Sequence, residues 1–143
     1  MIQNALVLKF KRLTDTMTIP TKAHETDACF DLYADVAPNG EPGMVEIPPG
    51  ETVFISTGFA TEIPEGYFGA VFPRSGLSSK KGLRLANCQA IIDSPYRGEW
   101  KIALHNDSKD PQTVAQGGEV EKGEEGEGES TRTHTWEEGR ERW

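Results

Sequence analysis

Cysteine is scarce in this 143-residue chain, where Cys29 and Cys88 are the only two and lie far apart in the sequence. The three histidines are scattered, so no Cys/His spacing suggests a zinc site, and two distant thiols do not form a disulfide framework. The sequence also lacks a membrane-length apolar run and a recognisable secretory leader. We therefore expect a reduced, cytoplasmic chain with no membrane partner.

Positive charge is also in deficit, with 15 Lys and Arg against 23 Asp and Glu, and this net charge of -8 does not favour a nucleic-acid duplex as partner. Residues 117–143 hold nine Glu against four Lys or Arg, so they contribute -5 and leave -3 for the remainder. Because salt screens exposed charges over about 8 Å, a local group of cations can still hold a small polyphosphate. The cations in question are Arg74, Lys80, Lys81, Arg84 and Arg97.

No stretch has a persuasive helical period, whereas short alternating segments recur between turns rich in glycine and proline. Val53 and Ile55, for example, fall on the opposite face from Phe54 and Ser56. This pattern predicts an all-β sandwich, jelly roll or small barrel. The predicted strands cover residues 6–11, 30–36, 52–59, 67–72, 83–87, 89–92 and 100–105.

The composition changes abruptly at Gly117. Residues 117–143 contain six Gly and nine Glu but few large apolar side chains, too few to offset an ordering entropy of about 1.5 kcal/mol per residue. We predict one β domain over residues 1–116 and a disordered acidic tail over 117–143. There are two alternatives for this tail. It is an arm that becomes ordered when a nucleotide binds, or it is the product of a shifted reading frame.

Residues 73–82 combine two glycines, three serines and three cations in one turn after an apolar run. Glycine lets main-chain N–H groups approach an anion, serine hydroxyls add neutral donors, and the planar guanidinium of Arg74 can bind phosphate through two nitrogens. This composition is typical of a phosphate-binding loop.

Two further segments complete a pattern. Residues 93–99, which follow Ile91 and Ile92, supply the Asp93 carboxylate and the Tyr96 ring, and residues 27–34 read Asp-Ala-Cys-Phe-Asp-Leu-Tyr-Ala. In order and spacing, the three segments resemble the motifs of the deoxyuridine triphosphatase (dUTPase) family. The second motif matches at every defining position, and the third matches from Ile92 to Gly98, with Ala90 where glycine is usual. The resemblance covers roughly residues 5–110.

The resemblance implies a distorted jelly roll that assembles as a homotrimer and hydrolyses dUTP to dUMP and pyrophosphate by attack of water on the α-phosphorus. It implies that Asp93 is the general base and that Asp31 holds Mg²⁺ through water. Read from the residues alone, Asp93 can also be a cap of the following turn, and Asp31 a polar strand residue. The implied substrate-binding residues are Arg74, Ser75 and Gly76 for the phosphates, Asn87 for the uracil edge, Tyr96 for the sugar, where its ring excludes a 2′-hydroxyl, and Gln116 for the phosphates.

The C-terminal motifs of the family are poorly matched. Residues 114–116 read Val-Ala-Gln and resemble a motif of the family that ends in Ile-Ala-Gln. However, no apolar strand is predicted beside Gln116. In the glycine-rich closing arm only Gly126, Ser130 and Thr131 agree. Two alternatives to an active dUTPase therefore stay open: an impaired relative that binds a nucleotide or a protein, and a related dCTP deaminase. An unrelated β-domain binding protein is a further possibility.

Overall fold

Short antiparallel strands form most of the regular structure. The computed structural model describes residues 7–118 and the backbone of residues 131–134. Within these residues helical structure is limited to single turns, and no helix is long and apolar enough to cross a bilayer. The strands are β1 (Lys9–Arg12), β2 (Phe30–Leu32), β3 (Met44–Ile47), β4 (Thr52–Ser56), β5 (Phe59–Glu62), β6 (Phe68–Phe72), β7 (Leu83–Leu85), β8 (Ala90–Asp93), β9 (Lys101–Asn106), β10 (Gln112–Ala115) and β11 (Thr131–His134).

The strands pair in four groups. A four-stranded sheet has the order β2-β11-β6-β8, and a three-stranded sheet has the order β4-β9-β7. Strand β1 pairs with β5, and β10 pairs with β3. Every one of these pairings is antiparallel, and among the described strands β8 lies at an edge of its sheet, paired on one side only.

The core follows the alternation of the sequence. In β9 Ile102 and Leu104 are buried, and in β4 Ile55 is 3% exposed while its neighbour Phe54 is 68% exposed. Trp100 is the largest fully buried side chain, and its ring lies 5.3 Å from that of Phe59. Each such side chain contributes roughly 1.5–3 kcal/mol on burial, so the core of packed strands accounts for most of the stability of the domain.

The all-β prediction is confirmed, with differences in detail. The predicted strand at residues 52–59 is divided into β4 and the start of β5, because Gly58 adopts φ 74° and turns the chain. The sequence predicts no strand before Gln116, and this is wrong, since β10 pairs there with β3. Val114 in β10 is 5% exposed, so contact with the core stabilises a strand that the local pattern does not reveal.

Four residues of the predicted tail, Thr131–His134, form β11 between β2 and β6. Main-chain pairing on both sides supplies hydrogen bonds that composition alone does not anticipate, and threonine favours strands. A disordered tail over residues 117–143 stays a prediction. Residues 119–130 and 135–143, including Gly126 and Ser130 of the arm comparison, lie outside the described residues.

Candidate active site

Residues 73–82, the phosphate segment, leave the sheet directly after β6 and form a tight turn. Leu77–Lys81 makes one turn of π-helix, which ends at Gly82. Gly82 adopts φ 66° and donates its N–H to the carbonyl oxygen of Leu77, and the Leu77 side chain is buried. A left-handed glycine and one apolar anchor thus fix the segment to the body of the protein.

Hydrogen bonds to carbonyl oxygens hold the first half of this segment. The Ser78 amide donates to the Arg74 carbonyl oxygen at 3.0 Å, and Ser79 Oγ donates to the Ser75 carbonyl oxygen at 2.6 Å. Ser75 itself is exposed, whereas Arg74 is half-buried. The loop is therefore ordered without any use of the Ser75 hydroxyl in these bonds, which suits a group that has to meet a ligand.

Residues 93–99, the carboxylate turn, follow the edge strand β8. The Tyr96 amide donates to the Asp93 carbonyl oxygen at 3.0 Å, and Ser94 Oγ donates to the Ile63 carbonyl oxygen at 2.8 Å. The carbonyl of Asp93, and not its carboxylate, thus closes the turn, so capping does not account for this side chain. Asp93 is exposed, and its carboxylate forms no ion pair with any side chain of residues 7–118.

The other end of the carboxylate turn is tied to the turn between β4 and β5. Tyr96 Oη donates to the Glu99 carbonyl oxygen at 2.9 Å, and the Gly58 amide donates to Glu99 Oε1 at 3.0 Å. Next in the chain, Trp100 accepts a hydrogen bond from Thr57 Oγ1 on its carbonyl oxygen at 2.6 Å. Tyr96 as a residue remains 45% exposed while its hydroxyl is held.

Asn87 lies in the turn between β7 and β8. Its carbonyl oxygen accepts the Gln89 amide at 2.6 Å, and Cys88 between them adopts φ 60°. All three residues are exposed. The turn presents main-chain polar groups at the start of an edge strand, which is where a planar base could meet them.

The candidate residues separate into two groups along the ladder between β6 and β8. Asp93 is paired with Phe68 at one end of this ladder, and Ala90 is paired with Val71 at the other. Phe72, after which the phosphate segment leaves the sheet, lies four residues beyond Phe68, or roughly 13 Å along the strand. Asp93 and the phosphate segment of one chain therefore lie at opposite ends of the ladder.

Asp31 belongs with the phosphate segment. Across the sheet Asp31 is opposite Arg132, and Arg132 is opposite Phe72, so Asp31 and Phe72 lie in one row, roughly 10 Å apart at strand spacing. The turn at Asn87 leaves the sheet at this same end, because the ladder ends where Ala90 pairs. We call Asp31, Asn87 and the phosphate segment the phosphate end.

Asp31 is 7% exposed, and its amide donates to the Thr21 carbonyl oxygen at 2.7 Å. Among the described residues no group of three or more His, Cys, Asp or Glu side chains is arranged to hold a metal ion. A single carboxylate supplies too few ligands to surround a cation with protein atoms alone. It fits Mg²⁺, which keeps most of its water and takes one or two carboxylates together with substrate phosphates.

Gln116 is not brought together with the other candidates. Its Oε1 accepts the Val36 amide at 2.5 Å, and its Nε2 donates to the Thr16 carbonyl oxygen at 2.9 Å and to Asp35 Oδ1 at 3.1 Å. None of these partners belongs to the phosphate end or to the carboxylate turn. A phosphate contact by Gln116 stays a prediction, and the hydrogen bonds favour a structural role instead.

Asp35 is the centre of this cluster, and the sequence analysis did not identify it. Burial raises the pKa of the Asp35 carboxyl, but hydrogen bonds from Thr14, Thr16 and Gln116 outweigh that effect and leave the pKa below its ordinary value. Two threonines that precede an aspartate by 21 and 19 residues are too common in sequences to signal such a cluster. The partners meet only through the fold, because they come from segments up to 81 residues apart.

Comparison with known proteins identifies the family. A dUTPase family model matches residues 15–120. The deoxyuridine 5'-triphosphate nucleotidohydrolase of Mycolicibacterium gilvum is 38% identical over 110 residues, which are 76% of this chain and 67% of the relative. The enzyme of the same name from Caldanaerobacter subterraneus subsp. tengcongensis is 40% identical over 115 residues, or 79% and 74% of the two chains.

Solved structures agree with the fold. A variant of the dUTPase of Staphylococcus bacteriophage 80alpha, with dUpNHpp bound, superposes with a TM-score of 0.69 at 24% identity and covers 94% of this chain and 86% of its own. A variant dUTPase of phage phi11 of S. aureus, described with a structural Mg(II) ion, has a TM-score of 0.64 at 24% identity, with 94% of each chain covered. This chain has the same distorted jelly roll, and the matches of its sequence show that it belongs to the dUTPase family.

Proposed function

We propose that this chain hydrolyses dUTP to dUMP and pyrophosphate, with Asp93 as the general base that deprotonates a water attacking the α-phosphorus. Family membership supports the reaction. The observation that supports the role of Asp93 is its placement: an exposed carboxylate, free of ion pairs within residues 7–118, at the end of an edge strand. A base has to reach the proton of a water molecule, and such a carboxylate is available to do so.

The nucleoside is proposed to lie along the outer edge of β8. Asn87 and its main-chain neighbours would bind the uracil edge, and Tyr96 would pack against the sugar near Asp93. Cytosine has the reversed donor and acceptor pattern at this edge, and a tight pocket excludes the thymine methyl group. In this pose the α-phosphate lies near Asp93, at the end of β8 away from the phosphate segment of the same chain.

The phosphates are proposed to be bound by Arg74, Ser75 and Gly76. Arg74 supplies a planar guanidinium for two hydrogen bonds to phosphate oxygens, and Gly76 allows close approach of the main chain. Asp31 lies in the same end of the sheet and would hold Mg²⁺ through its water shell. When bound there, the cation neutralises charge on the phosphate oxygens.

The separation of the two ends supports a site shared between copies of the chain. Because the phosphate segment and Asp93 of one chain lie at opposite ends of the ladder, we propose that a second copy supplies the phosphate segment and Asp31, while Asn87, Tyr96 and Asp93 come from the first copy. Phe68 and Ile91 lie on the same face as Asp93 and are 54% and 51% exposed, which suits burial against another copy. We propose the homotrimer of the family as this assembly, and the cytoplasm as its location.

A second candidate is an impaired relative that binds dUTP or a protein without turnover. The family match ends at residue 120, and the later residues agree with the closing arm only at Gly126, Ser130 and Thr131. Loss of an arm that excludes water lowers turnover more than binding.

The test is pyrophosphate release from dUTP, dCTP, dTTP and UTP by the wild-type chain and by Asp93→Asn. We expect turnover selective for dUTP, reduced at least about a hundredfold in the variant. The matched control is Asp15→Asn, an exposed aspartate outside the site, which should keep full activity. Binding of dUTP without turnover would favour the impaired relative, and ammonia release from dCTP would favour a deaminase; either result contradicts the proposal.

A further inference from the structure

Gly98, in the carboxylate turn, is a glycine that its own backbone does not require. Seven glycines of the described residues have positive φ, and Gly98 is not one of them. Its φ therefore lies outside the left-handed region that favours glycine, and the residue is exposed to solvent. Some other feature of the turn therefore has to explain why a side chain is missing here.

That feature is the ring of Tyr96. A Cβ atom added to Gly98 would lie 2.6 Å from Tyr96 Oη, 2.7 Å from Cζ and 3.1 Å from Cε2. The hydroxyl end of the ring thus occupies the space that a side chain at position 98 would fill. Real Cβ atoms are essentially never found closer than 3.0 Å to such atoms, so even alanine would move the ring.

The rest of the turn holds the ring in this place. Tyr96 Oη donates to the Glu99 carbonyl oxygen at 2.9 Å, and Glu99 is fixed in turn by the Gly58 amide at 3.0 Å. At the other end of the residue, the Arg97 guanidinium donates to the Ser94 carbonyl oxygen at 2.5 Å and to that of Tyr96 at 3.3 Å. The ring is constrained at its hydroxyl end and at its backbone, while 45% of the residue remains exposed.

We infer that Gly98 is a positioning residue that sets the tilt of the Tyr96 ring, and through it the discrimination between deoxyribose and ribose. This inference rests on the proposed function, in which the Tyr96 ring packs against the sugar of dUTP. With glycine at position 98 the hydroxyl end of the ring occupies the space of a side chain and is held there by the Glu99 carbonyl oxygen. A larger residue pushes the hydroxyl end away, breaks that hydrogen bond and changes the space beside the sugar.

The test compares kcat/KM for dUTP and for UTP in the wild-type chain and in Gly98→Ala. We expect the ratio of kcat/KM for dUTP to that for UTP to fall at least about tenfold. The reason is that exclusion of the 2′-hydroxyl of UTP by contact depends on where the Tyr96 ring lies. The unfolding temperature should fall only slightly, because the lost Tyr96–Glu99 hydrogen bond is partly offset by the restriction that alanine places on the unfolded chain.

The matched control is Gly40→Ala. Gly40 has φ 79° and no atom within 4 Å of an added Cβ, so this change should lower the unfolding temperature and leave the dUTP/UTP ratio unchanged. A second control is the pair Tyr96→Ala and Tyr96→Ala/Gly98→Ala. Without the ring, the change at position 98 should alter the ratio by less than about twofold, since the two positions act through one contact.

The outcomes separate this inference from the proposed function. If the wild-type chain hydrolyses dUTP and Gly98→Ala keeps the wild-type ratio, the positioning role is wrong and the dUTPase proposal stands. If the wild-type chain releases no pyrophosphate, the role in sugar discrimination fails with the proposed function.

The position of the ring can then be tested without any nucleotide. The chain has three tyrosines, Tyr33, Tyr67 and Tyr96, so ¹³C-labelled tyrosine ring resonances can be assigned with Tyr96→Phe. In Gly98→Ala we expect the Tyr96 resonance to shift while the other two do not. An unshifted Tyr96 resonance would overturn the positioning role itself.

Discussion

The phosphate end and the carboxylate turn are built in different ways. The phosphate segment is one helical turn, ended by Gly82 and anchored by a single buried leucine. The carboxylate turn is connected by Ser94 and Glu99 to two other loops, and it leads directly into Trp100, which is 1% exposed. The phosphate segment exposes its three serines and Lys80, whereas the carboxylate turn is fixed to the core.

This difference follows from what each region is proposed to do. A polyphosphate is bound by charge and by N–H and O–H donors, and these tolerate some adjustment of side chains. A general base and a ring that excludes one hydroxyl have to be held within a fraction of an ångström. Substitutions in the phosphate segment should therefore change activity with little change in stability, whereas substitutions that loosen the supports of the carboxylate turn should change both.

The experiment with the largest expected effect tests whether the phosphate segment and the carboxylate turn of one active site come from different chains. Arg74→Ala and Asp93→Asn should each lower dUTP hydrolysis at least about a hundredfold. When equal amounts of the two variants are mixed and assembled together, about a quarter of the sites should combine an intact Arg74 with an intact Asp93, and activity should recover to that extent. Pyrophosphate release before and after assembly measures this.

The control for that experiment mixes Asp93→Asn with the double variant Asp93→Asn/Arg74→Ala, in which no site can contain Asp93. This mixture should stay inactive. If the first mixture also shows only the mean of its two components, each site lies within one chain and the shared arrangement is wrong.

A stability effect of several kcal/mol is expected at Gly58, which supports the carboxylate turn. Gly58 has φ 74°, and an added Cβ would lie 2.6 Å from Thr14 Oγ1 and 2.7 Å from Met17 Cβ, and against the Asp35 carboxylate. Gly58→Ala should lower the free energy of unfolding by about 3 kcal/mol or more. Gly40→Ala, with equal backbone strain and open space, should cost only about 1–2 kcal/mol. Urea unfolding measures both, and equal losses would show that the packing around Gly58 is loose.

The smallest expected effect is the contribution of Asp35 to the pH dependence of the unfolding free energy. Because the pKa of Asp35 is lower in the folded chain than its unfolded value of about 3.9, its carboxylate stabilises the fold above that pH. This stabilisation is lost as the pH falls through the lower folded pKa. The difference in unfolding free energy between the wild-type chain and Asp35→Asn should thus be largest near neutral pH and shrink below about pH 4. A difference that stays constant from pH 7 to pH 3 would contradict the assignment.

Much of the fold could be predicted because its signals are local. The alternation in β4 and β9 shows which side chains are buried, and the turn before β4 is marked by Pro48, Pro49 and Gly50. Strands β3 and β10 escaped prediction because they are short and mixed in composition, and they are stabilised by each other. The four residues of β11 have no apolar pattern at all, and only the gap between β2 and β6 gives them a partner.

The candidate site, like the fold, could be predicted from the sequence only in part. The residue types of the phosphate segment predict phosphate binding, since that function needs glycine, hydroxyl and cationic side chains at short spacing in the chain. The general base was predicted only from the resemblance of residues 93–99 to a family motif. Which ends of the sheet they occupy, what holds the Tyr96 ring, and why Gln116 is bound to Asp35 were decided by the tertiary structure alone. The physical reason is that a period of two residues fixes the face of each side chain, while strand order and register depend on hydrogen bonds between segments far apart in the sequence.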